Sequence, residues 1–476
     1  MDMGETEKDI VIKIEDASFT YCNAERESVS HVHLDVHRGQ VVLLTGASGC
    51  GKTTVVRMLN GLIPHYYEGT LVGTVEVCGH AIAETPLEDM ARFTGTVFQN
   101  PRSQFFTVNT TTELAFGCEN QALPEQEIRE RINKTKKDFA IEKLMNRNLF
   151  SLSCGEKQKI ACASIHTAHP DVILLDEPSA NLDYSAIADL RNLVHLWKQA
   201  GKTVVVAEHR ISYIWGLCDR VVIMKDGRIE RELSEREMST ADDAMLHSLG
   251  LRSSKMDAPD TMATRLSSEK GDCSQGESVL IRDLHFSYTR EKPLLDIHNL
   301  SIPMNQIVAV TGLNGNGKTS FLECLCGMQK KARGTVIVAG KQESLKSFSH
   351  RCFMVMQEVN HQLFTESVLD EVLISMDTED EVSARSILKT LDIEAFAEQH
   401  PMSLSGGQKQ RLAIACAVAS EKEFLLLDEP TSGLDYAHMM QFAQLLSNLR
   451  QQGKSILVAT HDTELIKACC TAVITM

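Results

Sequence analysis

Positive charge is in short supply in this chain. Against 64 aspartates and glutamates it carries 48 lysines and arginines, a formal charge of −16. A protein held to nucleic acid or to a ribosome through phosphate contacts needs clustered Lys and Arg instead, which argues against that class of partner. Long apolar runs are missing as well: no stretch approaches the roughly 18 residues of a membrane span, and the acidic start MDMGETEKD is unlike a signal peptide. The expected location is therefore the cytosol. Aromatic residues make up only 5% of the chain, yet 43% of it is hydrophobic, enough for ordinary globular cores. None of the 14 cysteines falls in a C-x-x-C pair, and Cys324/Cys326 and Cys469/Cys470 are too close for a standard metal pair. Reduced, mostly buried thiols are expected. At 476 residues the chain exceeds a single core and implies two or three domains.

What the chain does have is the pattern G-x-x-x-x-G-K-[ST], twice: GASGCGKTT at 46–54 and GLNGNGKTS at 312–320. Each follows an apolar run of strand character (Val41 to Leu44; Ile307 to Val310) and opens a helical pattern (Val55, Val56, Met58, Leu59; Phe321, Leu322, Leu325), the context that the motif requires. The chemistry is anion capture. Glycines at Gly46, Gly49 and Gly51, and at Gly312, Gly315 and Gly317, let backbone N–H groups converge on phosphate oxygens, and the helix N-terminus adds its positive end. Lys52 and Lys318 reach the outer phosphates, Thr53 and Thr319 offer a hydroxyl to Mg²⁺, and Ser48, Thr54, Asn314 and Ser320 complete the two loops. Cys50 lies inside the first loop, where a helix N-terminus lowers a thiol pKa, although it also suits the role of a small filler.

The halves repeat one another. Tyr21 pairs with Tyr288 at an offset of 267, Lys52 with Lys318 at 266, Gln99 with Gln357 at 258 and Gly155 with Gly407 at 252, an offset that then holds for Asp176 with Asp428 and His209 with His461. Small steps in a near-constant offset mark a tandem duplication, so the halves share a fold. Extra residues in the first copy fall around 63–73 and again before Ser153. The expected division is 1–250, a linker at 251–277 that is polar, Ser-rich and without periodicity, and 278–476. Such a linker is flexible, with a reach of ~25–30 Å. The second copy, ending soon after His461, is expected to lack the strand and turn RVVIMKDGRI of 220–229. Short apolar strands alternating with helical patterns argue an α/β core with a mostly parallel sheet.

Further paired features stand in the same order in both copies. VILLDEP (172–178) and FLLLDEP (424–430) are buried strands ending in two carboxylates, which bring Asp176 and Asp428 to the phosphate loop as Mg²⁺ partners and place Glu177 and Glu429 to polarise an attacking water. VVVAEHR and ILVATHD run strands into His209 and His461, placed to bond a γ-phosphate. Gln99 and Gln357 follow strands and supply neutral amides to Mg²⁺ or the water. Tyr21 and Tyr288 are candidates to stack on an adenine ring. LSCGEKQK (152–159) and LSGGQKQR (404–411) precede helices.

With phosphate loop, glutamine loop, this last motif, DE pair, SANLD (179–183) or TSGLD (431–435), and histidine all in order twice, the chain resembles the ATP-binding cassette (ABC) ATPases over nearly its whole length apart from the linker. The resemblance implies two tandem ABC-type P-loop NTPase domains of α/β class, each a mixed, mainly parallel sheet core with an antiparallel β subdomain and a helical signature subdomain. It implies ATP and Mg²⁺ as cofactors and a head-to-tail arrangement. One site would join Lys52, Thr53, Gln99, Asp176, Glu177 and His209 to Ser405, Gly407 and Gln408; the other would join Lys318, Thr319, Gln357, Asp428, Glu429 and His461 to Ser153, Gly155 and Glu156. Cys154 departs from the pattern at the first signature glycine. If that backbone needs φ > 0, the cost is on the order of 1 kcal/mol, and the second site is expected to hydrolyse less well.

QNPRSQFF and QEVNHQLF, each with a second glutamine (Gln104, Gln362) before Phe, are similar to the ATPases of energy-coupling factor (ECF) importers of vitamins and metal ions. GLIPHYYEG, ANLD and AEHR in the first half, and TESVLDEV in the second, resemble the fused two-cassette members of that group. The likeness implies integral membrane partners, a scaffold that docks near the glutamine loops and a separate substrate-binding component, and hence a place at the cytoplasmic face of the membrane. A soluble tandem ABC ATPase acting on the ribosome or other machinery, and the fused ATPase of a sugar importer, are the alternatives. A ribosome-acting protein is expected to carry a longer charged linker and a basic face, and an iron–sulfur type an N-terminal Cys cluster, neither of which is found here.

Overall fold

The structure is a computed structural model that describes residues 9–22, 24, 26–180, 182–255, 278–288 and 293–476. It forms two compact units, the first holding the described residues up to 255 together with Asp435–Ala437 and the second holding the rest. The expected flexibility of 256–277 lies outside the described residues. The first residues of the expected linker belong to the first unit: Leu251 and Arg252 are buried, and Leu251 packs into that unit's core.

The first unit contains β1 (Ile10–Tyr21), β2 (Val29–His37), β3 (Val41–Gly46), α1 (Lys52–Leu59), β4 (Gly69–Val77), β5 (His80–Ala81) and β6 (Thr94–Val97). After them come α2 (Thr110–Asn120), α3 (Glu125–Asp138), α4 (Cys154–Ala168), β7 (Val172–Asp176), α5 (Tyr184–Gln199), β8 (Thr203–Ala207), β9 (Arg220–Lys225) and β10 (Arg228–Ser234). The strands form two sheets, β2-β1-β4-β5 and β10-β9-β3-β8-β7-β6. In the second, β3, β6, β7, β8 and β9 run parallel and only β10 is antiparallel.

Alternation along the parallel strands sets the cores. Val42 and Leu44 of β3 pack with Leu174, Val205 and Val222 towards α1 and the antiparallel sheet, while Val41 and Leu43 pack with Ile173, Leu175 and Val206 towards α2, α4 and α5. Both faces are covered, so these strands are continuous apolar runs with no polar alternation. At about 25 cal/mol per Å² of apolar area, each fully buried Val or Leu contributes roughly 1.5–3 kcal/mol.

The second unit repeats this plan with β11 (Ser278–Phe286), β12 (Leu295–Pro303), β13 (Ile307–Thr311), α6 (Lys318–Leu325), β14 (Arg333–Val338), β15 (Lys341–Ser344) and β16 (Cys352–Val355). It continues with α7 (Val368–Leu373), α8 (Glu381–Thr390), α9 (Gly406–Ala419), β17 (Phe424–Asp428), α10 (Tyr436–Gln451), β18 (Ser455–Ala459) and β19 (Ala472–Thr475). Its sheets are β12-β11-β14-β15 and the wholly parallel β16-β17-β18-β13-β19.

One expectation is corrected. β19 pairs with β13 as β9 pairs with β3, so the second unit does have the strand expected to be absent; among the described residues no counterpart of β10 pairs beside it. AVIT is short and carries none of the charged turn that marks its counterpart, so the sequence alone does not display it as a strand. The extra residues of the first copy form a short helix at Leu62–His65 and a lengthened α3. The described cysteines are mostly buried, and no described helix is long and apolar enough to cross a membrane.

Candidate active site

Each phosphate loop links the end of a central parallel strand to a helix, β3 to α1 and β13 to α6. Gly46 and Gly312 have φ of 143° and 142°, and a Cβ at either would collide with a carbonyl oxygen, that of Met224 on β9 or of Met476 just past β19. At Gly49 and Gly315, φ is again positive, but a Cβ would meet nothing within 4 Å. The first glycine therefore packs against protein, and the middle one faces an open cradle.

In the first loop the Lys52 ammonium donates to the carbonyls of Gly46 (3.2 Å) and Ala47 (3.0 Å). Lys318 does the same to Gly312 (2.9 Å) and Leu313 (3.2 Å). Both lysines are buried. Thr53 Oγ1 donates to Asp176 Oδ1 at 3.0 Å, and Thr319 Oγ1 to Asp428 Oδ2 at 2.8 Å. Burial pushes both aspartates up to about 6, with the charge of Glu177 adding to the effect at Asp176.

The glutamates after them are held in unusual backbone. Glu177 has φ 44° and Glu429 φ 46°, and their N–H groups donate to Ala207 and Ala459 at 2.8 Å. Non-glycine residues in this region cost of order 1–3 kcal/mol, and such strain clusters where chemistry fixes geometry. Glu177 Oε2 accepts from Gln99 Nε2 at 2.7 Å, and Oε1 lies 3.3 Å from His209 Nε2. Burial works to raise the Glu177 carboxyl, but the hydrogen bond and charge of His209, with Lys52 behind it, outweigh that and hold it below the ordinary value. His209 Nε2 is also 3.1 Å from Lys52 Nζ. In the second unit His461 Nε2 lies 3.5 Å from Glu429 Oε1 and 3.1 Å from Asn314 Oδ1.

So the fold gathers Lys52, Thr53, Gln99, Asp176, Glu177 and His209 into one cluster, and Lys318, Thr319, Asp428, Glu429, His461 and Asn314 into another. Gln357 follows β16 as Gln99 follows β6. Ser48, Gly51 and Thr54 lie in or beside the first loop, as Gly317 and Ser320 do in the second. The signature residues stand elsewhere. Ser153 caps α4: its Oγ accepts from the Glu156 N–H while Glu156 Oε2 accepts from the Ser153 N–H at 2.8 Å. Ser405 and Gln408 cap α9 the same way. This is the S-x-x-[EQ] capping box, legible in both motifs. Beside these caps, a Cβ on Gly155 would touch Ala186 at 3.0 Å, whereas one on Gly407 would meet nothing within 4 Å.

The tyrosines differ. Tyr21 is half-buried, edge-on to Phe19 and Tyr67, and its hydroxyl accepts from Arg57 at 2.9 Å and lies 3.4 Å from Thr54 Oγ1. Tyr288 is 58% exposed and bonds Ser320 at 2.9 Å. At an offset of 266, Glu323 occupies the place of Arg57.

The family pattern ABC transporter matches residues 29–180 and 295–432, and a putative ABC transporter ATP-binding protein of Treponema denticola is 39% identical over 464 residues, spanning 98% of this chain and 95% of its own length. The chain belongs to the ABC transporter family. A putative ABC transporter ATP-binding protein of Methanosarcina acetivorans is 30% identical over 98% of this chain and 84% of its own. Among solved structures, an archaeal ribosome recycling factor in complex with ribosomal stalk protein superposes with a TM-score of 0.66 at 19% identity, over 97% of this chain and 87% of that one; at that identity the likeness shows the fold alone. The protein is thus a tandem ABC ATPase, and its two α/β cassettes are those expected from the motifs.

ABC cassettes bind ATP, normally with Mg²⁺, and the residues fit both. The middle glycines open a cradle for phosphate, and Thr53 with Asp176, or Thr319 with Asp428, offer the hard oxygen ligands that Mg²⁺ takes.

One expectation at these cassettes is corrected. Cys154 is the first residue of α4 and is not among the positive-φ positions, so the predicted strain is absent, and with it the physical reason for a weaker second site. Of the two readings of Cys50, the structure favours the small filler: it is buried, burial raises its thiol, and it fills space against Gly46.

Three sets of positioning residues were missed. Glu208 is buried and accepts from the N–H groups of Ser179, His209 and Arg210 and from the Tyr213 hydroxyl. Glu113 and Glu371, also buried, accept from the backbone and hydroxyl of Thr107 and Thr365 and from the N–H of Phe106 and Phe364. Their signal was the same Thr-to-Glu spacing in FTVNTTTE and FTESVLDE. Gln104 and Gln362, read above only as a family likeness, accept from the N–H of Phe98 and Met356 at 3.0 and 3.1 Å and so pin each glutamine loop at its root.

Proposed function

We propose that this tandem ABC ATPase is the energy-coupling subunit of an ECF-type importer of a vitamin or transition-metal ion, working at the cytoplasmic face of the membrane with an integral scaffold and a substrate-binding subunit as partners. The observation that carries the reading is the same in both cassettes. On the segment that follows each pinned glutamine loop large apolar side chains face solvent: Phe106 and Val108 in the first, with Phe150 next to Leu149, whose N–H donates to Val108, and Phe364 in the second, with Phe106 and Phe364 about three-quarters exposed. Clustered exposed apolar groups beside a catalytic loop suit docking of a helix from a membrane partner.

The reaction is ATP + H₂O to ADP and phosphate, by in-line attack of water. Bound Mg²⁺ supplies charge neutralisation at the outer phosphates. Lys52 and Lys318 exchange their loop carbonyls for phosphate oxygens. Glu177 and Glu429 orient the water and take its proton, and the depressed pKa of Glu177 keeps it ionised for that task. Gln99, bonded to Glu177, makes the water site respond to the loop that carries the exposed Phe106. Tyr288, with its open ring, and Tyr21 would flank the adenine. Each ATP is proposed to be shared between the phosphate loop of one cassette and the signature of the other, with Ser153, Gly155 and Glu156, or Ser405, Gly407 and Gln408, presenting a helix N-terminus to the γ-phosphate.

The test is recovery of the chain from detergent extract, with Phe106→Asp and Phe364→Asp alongside. Membrane subunits that accompany the parent and are lost from the variants, with basal ATPase kept, support the reading. Ribosomes in their place would establish the soluble-machinery alternative.

A further inference from the structure

Away from both phosphate loops, on the outer face of the second cassette's antiparallel sheet, Asp283, His285 and His298 each bring one ligand atom within 4.8 Å of the others. Strand register puts them there. With Arg282 opposite Asn299 and Leu284 opposite Ile297, Asp283 faces His298, and His285 faces Asp296. Leu284 and Phe286 enter the core while these four stay exposed. Asp283 has φ 48°, where the register of β11 with β14 shifts between Arg282 and His285, a bulge of the kind that re-aims a side chain. His298 Nδ1 lies 3.5 Å from Asp283 Oδ1, and His285 Nδ1 lies 2.8 Å from Asp296 Oδ1.

Exposed cross-strand ion pairs alone would be worth ~0–1 kcal/mol and would mean little. Two observations go further. Metal-ligating histidines almost always give their other ring N–H to a carboxylate or carbonyl, and Asp296 occupies that role for His285, leaving Nε2 as the ligating nitrogen. The Asp–His pair also recurs, although among the described residues only the second cassette gathers a third ligand atom to it. The offset of 267 that aligns Tyr21 with Tyr288 aligns Asp16 with Asp283 and His31 with His298. Asp16 likewise has positive φ (51°), His31 Nδ1 lies 2.7 Å from its Oδ1, and His33 Nε2 lies 3.6 Å from the same oxygen. In the first cassette the extra histidine stands on β2; in the second it stands on β11.

We propose that Asp283, His285 and His298 form a surface site for a divalent transition-metal ion of the zinc class, with Asp296 as the anchor of His285. Two imidazoles and one carboxylate suit Zn²⁺, Ni²⁺ or Co²⁺ and not the all-oxygen preference of Mg²⁺ or Ca²⁺, so the site is chemically separate from Asp176 and Asp428. A bound ion ties β11 to β12. This holds whether or not the protein serves an importer.

The experiment is calorimetric titration of the full chain with Zn²⁺ alone, without nucleotide or Mg²⁺, each variant read against the parent so that zinc taken up by thiols cancels. Loss of one binding equivalent in both His285→Asn and His298→Asn, affinity lower by roughly 10–100-fold in Asp296→Asn, and no change in His33→Asn are expected. Metal-free melting of each variant at the parent's temperature verifies the fold. Variants that titrate like the parent, or a parent with no saturable zinc binding beyond that of the His298→Asn chain, would overturn the site.

Discussion

A carboxylate that is to hold Mg²⁺ must first lose its proton, and burial opposes that at Asp176 and Asp428. With both pushed up to about 6, each binds its proton more tightly in the folded protein than in the unfolded chain. The stability this lends is fully present below the ordinary carboxylate value of ~4 and is lost as pH rises through about 6. Above that, the ionised groups favour a cation. ATPase activity is therefore expected to fall as pH drops through this range, and raising Mg²⁺ is expected to move the acid limb to lower pH because metal and proton compete. Rate profiles at two Mg²⁺ concentrations test it; superimposable limbs would refute it. Replacing Glu177 and Glu429 together by Gln is expected to cost turnover by roughly 10²–10⁴-fold, the usual range for a general base, while equilibrium dialysis finds nucleotide still bound. Lysine, threonine, aspartate, glutamate and histidine were all legible in sequence because their chemistry demands those residue types at that spacing. Glu208 was not, because it works by accepting backbone N–H groups that only folding brings near, and Glu113 and Glu371 left only a shared spacing to Thr107 and Thr365 that by itself assigns no role.

At the level of single elements, the heads of α4 and α9 carry a double duty as caps and as candidate anion sites. Ser153→Ala removes a reciprocal cap, and a loss of ~1 kcal/mol in urea unfolding is expected. Cys154→Gly separates two accounts of the departed signature glycine. Helical backbone at Cys154 predicts that glycine is neutral or destabilising by up to ~1 kcal/mol, whereas a strained left-handed residue would be relieved by it. Unfolding midpoints of the two variants against the parent decide the sign. Elements of strong pattern, the apolar strands and the helices after each phosphate loop, were readable from burial alone. β19 was not, since a four-residue edge strand has too little alternation to stand out and is defined by its pairing with β13.

For the whole molecule, duplication is the organising fact, and it yields a prediction about cooperation. If each ATP is completed by a signature from the other cassette, the halves 1–255 and 278–476 made as separate chains are expected to turn over ATP far more slowly than the joined protein at equal concentration, with partial recovery on mixing at high concentration. Equal rates for separate and joined halves would mean that each cassette works alone. The family and the two-cassette plan were evident from motif order, which no local ambiguity could scramble; the importer reading rests on likeness of short segments around the glutamine loops and stays a proposal.

The glutamine loop of the first cassette is fastened at three places: Gln104 to the Phe98 amide, Glu113 to the Phe106 amide, and Gln99 to the Glu177 carboxylate. A segment fixed at its fulcrum, with one arm ending on an outward-facing ring and the other on the group that readies water, is a lever. If a partner docks on Phe106 as proposed, its pressure is expected to reach Glu177 through this segment, and loosening the Gln104 pivot is then expected to change the uncoupled rate of hydrolysis.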